Sequence, residues 1–188
     1  MPLTPWDRLT RRVSSMHTMW RAATGDLTTA QMNFKEREGV LPIAFSLLHY
    51  VGGEDRNVST YLLGEPMLWE SGGWEERIGG KLPSVKRGTS IVVAEETRFG
   101  GAEAWLAYQE AVFERTERAL HMASDQDYDR IIHGTIPEQL VGSFVDLTYA
   151  PGPVALGDII DGFVFQHGIR HLGEIEHGRS LLGLRGVS

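Results

Sequence analysis

Apolar residues return at helical spacing in four stretches of the chain. The first opens at Thr4-Pro5-Trp6-Asp7, where a threonine cap, a proline suited to the first helical position and an acidic first turn coincide. Leu9, Val13, Met16 and Trp20 follow three or four residues apart until Gly25 breaks the pattern. The second stretch runs from about Leu41 to Leu63 on the stripe Leu41, Ala44, Phe45, Leu48, Val51, Val58 and Leu62. Its Gly52-Gly53 pair costs about 1 kcal/mol per glycine relative to alanine. Either the helix bends there or something approaches it closely. The third runs from about Gly101 to Ala123, with Trp105, Leu106, Val112, Phe113, Ala119 and Leu120 inward. The last runs from about Leu156 to Leu184 and stops near Gly186, as a C-terminal glycine would make it.

Between these stretches the pattern is weaker. From Gly64 to Phe99 it dissolves into Pro66, Gly72-Gly73, Gly79-Gly80, Pro83 and Gly88, with a short apolar run at Ile91 to Ala94 and with Trp69 and Trp74. A loop of this length inside a compact domain is more often functional or a crossover than idle. Ser124 to Pro153 is mixed, with a short helix expected over Glu138 to Leu147. Little of the chain reads as strand. Four amphipathic segments therefore predict an all-α four-helix bundle, one domain over residues 1–188. The short connection between the first two helices predicts antiparallel neighbours. The long one between the second and third leaves room for a crossover, so those two can run parallel.

Composition narrows the function. With 41% apolar and 23% charged residues in 188, the chain is not of a disordered type. A net charge of −7 argues against a nucleic-acid partner. No run approaches the roughly 18 apolar residues of a membrane span, and no apolar signal-peptide core follows the N-terminus. Arg8, Arg11 and Arg12 mimic a transit peptide, but the first helix of the domain is the favoured reading, and a cytoplasmic protein the default. There is no cysteine, which excludes a disulfide, a catalytic thiolate, an iron–sulfur cluster and Cys-bound zinc. No nucleophile elbow, phosphate loop or dinucleotide fingerprint is present either.

Three of the seven histidines remain as candidate chemistry. His167 and His171 are spaced i, i+4, so on a helix their rings project only about 40° apart. Phe163, His167, His171 and Glu174 share one stripe, where two histidines and a glutamate stand in place of core residues. His49, beside Phe45 and Leu48, interrupts the inner stripe of the second helix. If the second and fourth helices face each other, the three rings converge. Three neutral imidazoles plus water make an open site for zinc or another divalent transition metal. Each histidine alone is more often structural; the combination raises the odds, because buried polar groups are costly unless something pairs with them. Glu174 reads as a partner holding a histidine ring or as an acid–base group. Glu174-Ile175-Glu176-His177 also matches the Glu-x-x-His pattern of di-iron bundles, but no second copy exists, the second helix offers only Glu54 and the first offers no glutamate. His17, His121 and His133 show no supporting pattern and read as surface or structural.

Leu48-His49-Tyr50-Val51-Gly52-Gly53-Glu54-Asp55-Arg56 resembles the first metal-histidine motif of the DinB/YfiT-like superfamily. His167-Gly168-Ile169-Arg170-His171-Leu172-Gly173-Glu174-Ile175 resembles its second, a His-x-x-x-His followed by Gly and Glu or Gln. Motif order, spacing and helix count agree over most of the chain. The resemblance implies an up-down-down-up bundle, commonly a homodimer, with zinc or nickel on His49, His167 and His171. It also implies a transferase or isomerase that uses an external low-molecular-weight thiol such as mycothiol or bacillithiol. The segment from Gly64 to Phe99 departs from the thiol-transferase relatives.

The expectation is thus a metal-dependent, thiol-using transferase or isomerase acting on a small molecule, without nucleic-acid or membrane partners. Glu174 would orient a ligand, and Trp69 or Trp74 would roof the pocket. The rivals are a hydrolase whose same triad activates water and a non-catalytic dimeric bundle. Dependence on added thiol separates the two enzyme readings.

Overall fold

The structure is a computed structural model that describes residues 2–83, 89–149 and 151–187; Gly88, one of the glycines of the expected loop, lies outside them. In chain order the elements are α1 (Pro5–Thr24), α2 (Thr29–Met32) and α3 (Ile43–Asn57), the last continued by a π-helix over Val58–Leu63. Then come α4 (Leu68–Ser71), α5 (Trp74–Ile78), β1 (Gly80–Lys81), α6 (Ile91–Ala94), β2 (Arg98–Phe99) and α7 (Ala102–Met122). The chain continues through α8 (Asp125–Tyr128), β3 (Ile131–His133), a 3-10 turn (Glu138–Leu140), α9 (Phe144–Tyr149) and β4 (Val154–Ala155). It closes with α10 (Leu156–Ile159), a second π-helix (Ile160–Gln166) and α11 (His167–Leu181). The strands form only two short antiparallel ribbons, β1 with β2 and β3 with β4. The four long helices are those read from the pattern, so the fold is all-α.

The start of α1 is a reciprocal cap. Thr4 Oγ1 accepts from the Asp7 amide at 3.1 Å while Asp7 Oδ2 accepts from the Thr4 amide at 3.0 Å. Such a cap contributes about 1 kcal/mol.

Side-chain contacts fix the directions of the bundle. The Trp6 indole donates to the Leu120 carbonyl and Arg21 pairs with Glu110, so α1 and α7 are antiparallel. Ser46 bonds Glu174 while Gly53 approaches His167, which makes α3 and α11 antiparallel. Asp55 meets Tyr108 and Ser59 meets Arg115, so α3 and α7 run parallel. Trp20 donates to the Gly168 carbonyl and Arg179 to the Ala23 carbonyl, aligning α1 with α11. The bundle is up-down-down-up.

One expectation is corrected here. Helices α1 and α3 are antiparallel but diagonal, each packing against both α7 and α11 and meeting the other through long side chains across the middle. Trp20 stacks on Tyr50 there, at 4.5 Å between centroids. The connection, residues 25–42, holds α2 and has the length to set α3 down on the far side. The core between the four helices is rich in aromatics, with Trp20, Tyr50, Trp105, Tyr108 and Phe113 fully buried.

The described residues of the stretch from Gly64 to Phe99 are more ordered than their pattern suggested. The buried Asp55 carboxylate accepts from the amides of Leu68 and Trp69 at 3.0 and 2.9 Å, at the start of α4, and from the Tyr108 hydroxyl at 3.0 Å. An anion at a helix start also suits the exposed amides there. Trp74 turns into the core against Tyr108, with the Arg77 guanidinium 3.5 Å from its ring centroid. The helix expected over Glu138 to Leu147 is a 3-10 turn followed by α9, separated at Gly142, whose φ of 69° suits glycine. No helix among the described residues is long and apolar enough to cross a membrane.

Candidate functional site

Two of the candidate histidines lie on successive turns of α11 and the third on α3, which faces it. Glycines let these elements close up. A Cβ at Gly178 would lie 2.7 Å from Ile43, and one at Gly168 would lie 2.6 Å from the Tyr50 hydroxyl and also strike the Met16 sulfur. Only glycine at 168 lets Tyr50 lie beneath the histidine pair. The π-helix over Ile160–Gln166 ends at His167, and wide turns of this kind are frequent at functional sites. Its Asp161 is held by Arg12, Tyr149 and Gln166 at 2.9, 2.8 and 2.5 Å.

The three rings converge. His49, His167 and His171 each offer a nitrogen such that all three lie within 4.8 Å of one another. The His167 and His171 Nε2 atoms are 2.9 Å apart. Phe45 lies flat against His49, with centroids at 5.6 Å and planes 5° apart. His171 Nδ1 is 2.7 Å from Glu174 Oε2, which also accepts from Ser46 Oγ at 2.7 Å.

These bonds constrain the tautomers. A carboxylate on Nδ1 of His171 calls for N–H there, which leaves a lone pair on Nε2 of the neutral ring. At His167 the Nδ1 is buried without a well-formed hydrogen bond, and the Phe163 carbonyl is the acceptor acting on the ring. With hydrogen on Nδ1 of both rings, two Nε2 lone pairs face each other at 2.9 Å. That contact is repulsive unless a cation shares the space. Placing the His167 hydrogen on Nε2 instead turns a bare lone pair toward a carbonyl. A metal ion on both Nε2 atoms and on His49 resolves the conflict, so the donor set fits a nitrogen-preferring divalent ion.

Charge states agree. Burial first, then the neighbouring His171 and Arg170, push His49 down to about 4. Burial, His171 and His49 push His167 down to about 3. Both rings are therefore neutral at physiological pH, with lone pairs available. Burial works against the charge of Glu174, but the bonds from His171 and Ser46 outweigh it and hold its carboxyl below the ordinary value.

Two cavities meet at His49. One, of about 340 Å³, has Gly52, Arg56, Trp69 and Glu70 in its walls. The other, of about 580 Å³, reaches His49 and His167 together and is walled by Phe45, Phe144, Phe163 and Arg170. The Gly52-Gly53 pair neither kinks α3 nor receives a close neighbour. A Cβ at Gly52 would meet nothing within 4 Å, and one at Gly53 only His167 at 3.8 Å. The pair leaves the cavity floor open. Trp69 walls the smaller cavity as expected, whereas Trp74 takes no part in either. Glu174 is not a core residue but stands at the rim, its side chain 47% exposed.

A second polar cluster escaped the pattern. His17 is fully buried, 2.9 Å from Glu117 and 3.0 Å from Glu54, with its ring stacked on Phe113. Burial opposes its charge, but the two carboxylates outweigh burial and raise it to about 9. Glu54 also accepts from the Tyr50 hydroxyl at 2.5 Å. The available signal was the position of His17 one residue after Met16 and three before Trp20, on the inner stripe of α1. Glu54 is thus inward but committed to α1, and His177 is exposed on an outer groove, so the di-iron pattern has no convergence behind it. His121 is exposed, and His133 lies against Tyr61.

The sequence model of the DinB superfamily matches residues 12–175, a span that holds all three histidines and Glu174. No curated protein matches the sequence significantly. Among solved structures, the crystal structure of a conserved protein from Enterococcus faecalis superposes with a TM-score of 0.74 over 97% of this chain and 99% of that one. The two sequences are 15% identical, so the likeness is one of fold.

Proposed function

The chain belongs to the DinB superfamily, and from that premise we propose a divalent-metal-dependent enzyme that performs a transfer or isomerisation with an external low-molecular-weight thiol. His49, His167 and His171 would hold the ion, zinc or nickel as the resemblance implies, both of which imidazole suits. The observation that carries this reading is the convergence of three nitrogens within 4.8 Å, the two Nε2 atoms of His167 and His171 being 2.9 Å apart. Bound there with an open position, such an ion lowers the pKa of a coordinated thiol or water.

The chain's own residues do the rest. Glu174 is a positioning residue, holding the His171 ring through Nδ1 while Ser46 holds Glu174 in turn. Phe45 keeps water off one face of His49. The cavity of about 580 Å³ is of the size of small-molecule sites and gives a substrate access to His49 and His167. With no cysteine in the chain, the thiol comes from outside. The exposed apolar run Ile91, Val92 and Val93 supports the homodimer that the resemblance implies. We place the protein in the cytoplasm.

The test is elemental analysis by plasma mass spectrometry on untagged protein and on His167→Ala. The expected result is a stoichiometric divalent metal in the native chain that is absent from the variant. A native chain that takes up neither zinc nor nickel would sink the reading. With metal established, turnover that needs no thiol would move the assignment to hydrolysis.

A further inference from the structure

Arg56 lies two turns beyond His49 on α3, and Arg170 lies one turn beyond His167 on α11. Both line the cavity of about 580 Å³ that reaches His49 and His167. Among the described residues neither has a carboxylate within ion-pairing distance, although other arginines of the bundle are engaged. Arg12 pairs with Asp161, Arg21 with Glu110, Arg115 with Glu65 and Arg179 with Asp26.

The lining of this cavity differs from that of its neighbours. No aspartate or glutamate lines it among the described residues. The smaller cavity on the other side of His49, which Arg56 also lines, carries Glu70 and Glu75, and the outer groove, which Arg170 also lines, carries Glu36 and Glu174. In a chain of net charge −7, two guanidinium groups outside any ion pair line a space whose described walls hold no acid, which makes it the most positive of the three. The remaining walls set Phe45, Leu140, Phe144 and Phe163 beside the polar Asn57, Gln139 and Ser143.

We propose that Arg56 and Arg170 are the specificity residues of this cavity and that its substrate is a small aromatic or apolar carboxylic acid, its carboxylate on the arginines and its body against the phenylalanines. Guanidinium forks match the planar carboxylate, and each such bond is charge-assisted. The acid's reactive end is thereby directed toward His49 and His167. This inference rests on the enzymatic reading above for the word substrate, but the binding itself needs no metal.

The test is calorimetric titration of the chelator-treated full chain with 1-naphthoate and with its neutral counterpart 1-naphthalenemethanol. Naphthoate is expected to bind at least about tenfold more tightly, the discrimination that a charge-assisted bond typically brings. In Arg56→Gln/Arg170→Gln that preference disappears, while affinity for the alcohol stays within about twofold and serves as the check on folding. The Arg56→Lys/Arg170→Lys protein keeps part of the preference. Equal binding of the two probes, a preference that survives in the glutamine variant, or no naphthoate binding at millimolar concentration each overturns the proposal. Metal content is measured on a separate aliquot. A metal-free native chain with arginine-dependent discrimination fails only the metal reading, and a metal-loaded chain without discrimination fails only this one.

Discussion

Helix α3 serves two buried polar clusters on different sides, and they solve the cost of burial in opposite ways. Toward α1 and α7, Glu54 meets His17, which Glu117 approaches from the other ring nitrogen. One imidazole between two carboxylates is complete in itself, and the ring is held protonated. Toward α11, His49 meets two more imidazoles, and the one carboxylate present, Glu174, is spent on an outward-facing Nδ1. That cluster turns three ring nitrogens toward one another, within 4.8 Å, with no acid between them among the described residues. Burial with internal compensation reads as structure, whereas converging lone-pair donors beside an open cavity read as a site. Tyr50 stands between them, its hydroxyl on Glu54 and its ring 5.7 Å from that of His167.

Removing a histidine from each cluster gives the sharpest break between them. His17→Ala leaves the buried Glu54 carboxylate without its cation and is expected to cost about 3–5 kcal/mol in denaturant unfolding. If His17→Ala melts like the native chain, His17 and Glu54 do not form a buried ion pair. By contrast, metal-free His171→Ala is expected to lose about 2 kcal/mol or less, because no buried charge is orphaned. Adding metal at about a hundred times its dissociation constant is expected to stabilise the native chain by about 2.7 kcal/mol and to leave this variant unchanged.

The pH dependence separates them further. The folded pKa of His17 lies above the ordinary 6.5, so its stabilisation is fully present below pH 6.5 and is lost as pH rises through about 9. Glu117, drawn down to about 2 chiefly by its bond to His17 and also by Arg21, contributes above its ordinary 4.5 and loses that contribution as pH falls toward 2. Melting temperatures of metal-free native protein and His17→Gln, compared between pH 6 and 10, check the alkaline limb. The variant is expected to lack the loss that the native chain shows. Equal slopes would break the assignment.

Smaller effects probe the supports. Glu174→Gln is expected to weaken metal affinity about 10–100-fold in a competition titration, as loss of a ligand's orienting partner does elsewhere. At Gly52, inside α3 with open space where a Cβ would go, Gly52→Ala is expected to stabilise the chain by up to about 1 kcal/mol. Gly168→Ala, whose Cβ would meet Tyr50 and Met16, is expected to destabilise instead, and thermal melts of the pair compare the two glycines directly.

What could be read from the chain follows the range of the interactions involved. The Thr4-Pro5 start of α1, the four long helices and the shared face of His167 and His171 all depend on residues a few positions apart, where the 3.6-residue period fixes the geometry. The sequence by itself therefore determined an all-α bundle with a histidine pair on one stripe and a third histidine on another. Tertiary structure alone decided that α1 and α3 lie diagonally, since a connection of that length permits either placement. It decided that Asp55 gathers the amides of Leu68 and Trp69, which gives order to a stretch without periodicity. It set His17 between acids from two other helices, moved Glu174 to the rim, and brought Arg56 and Arg170 to one cavity. The physical reason is common to all of these. A pairing between residues 37 or 100 positions apart, such as His17 with Glu54 and Glu117, is selected by how whole helices pack, and no local period encodes it.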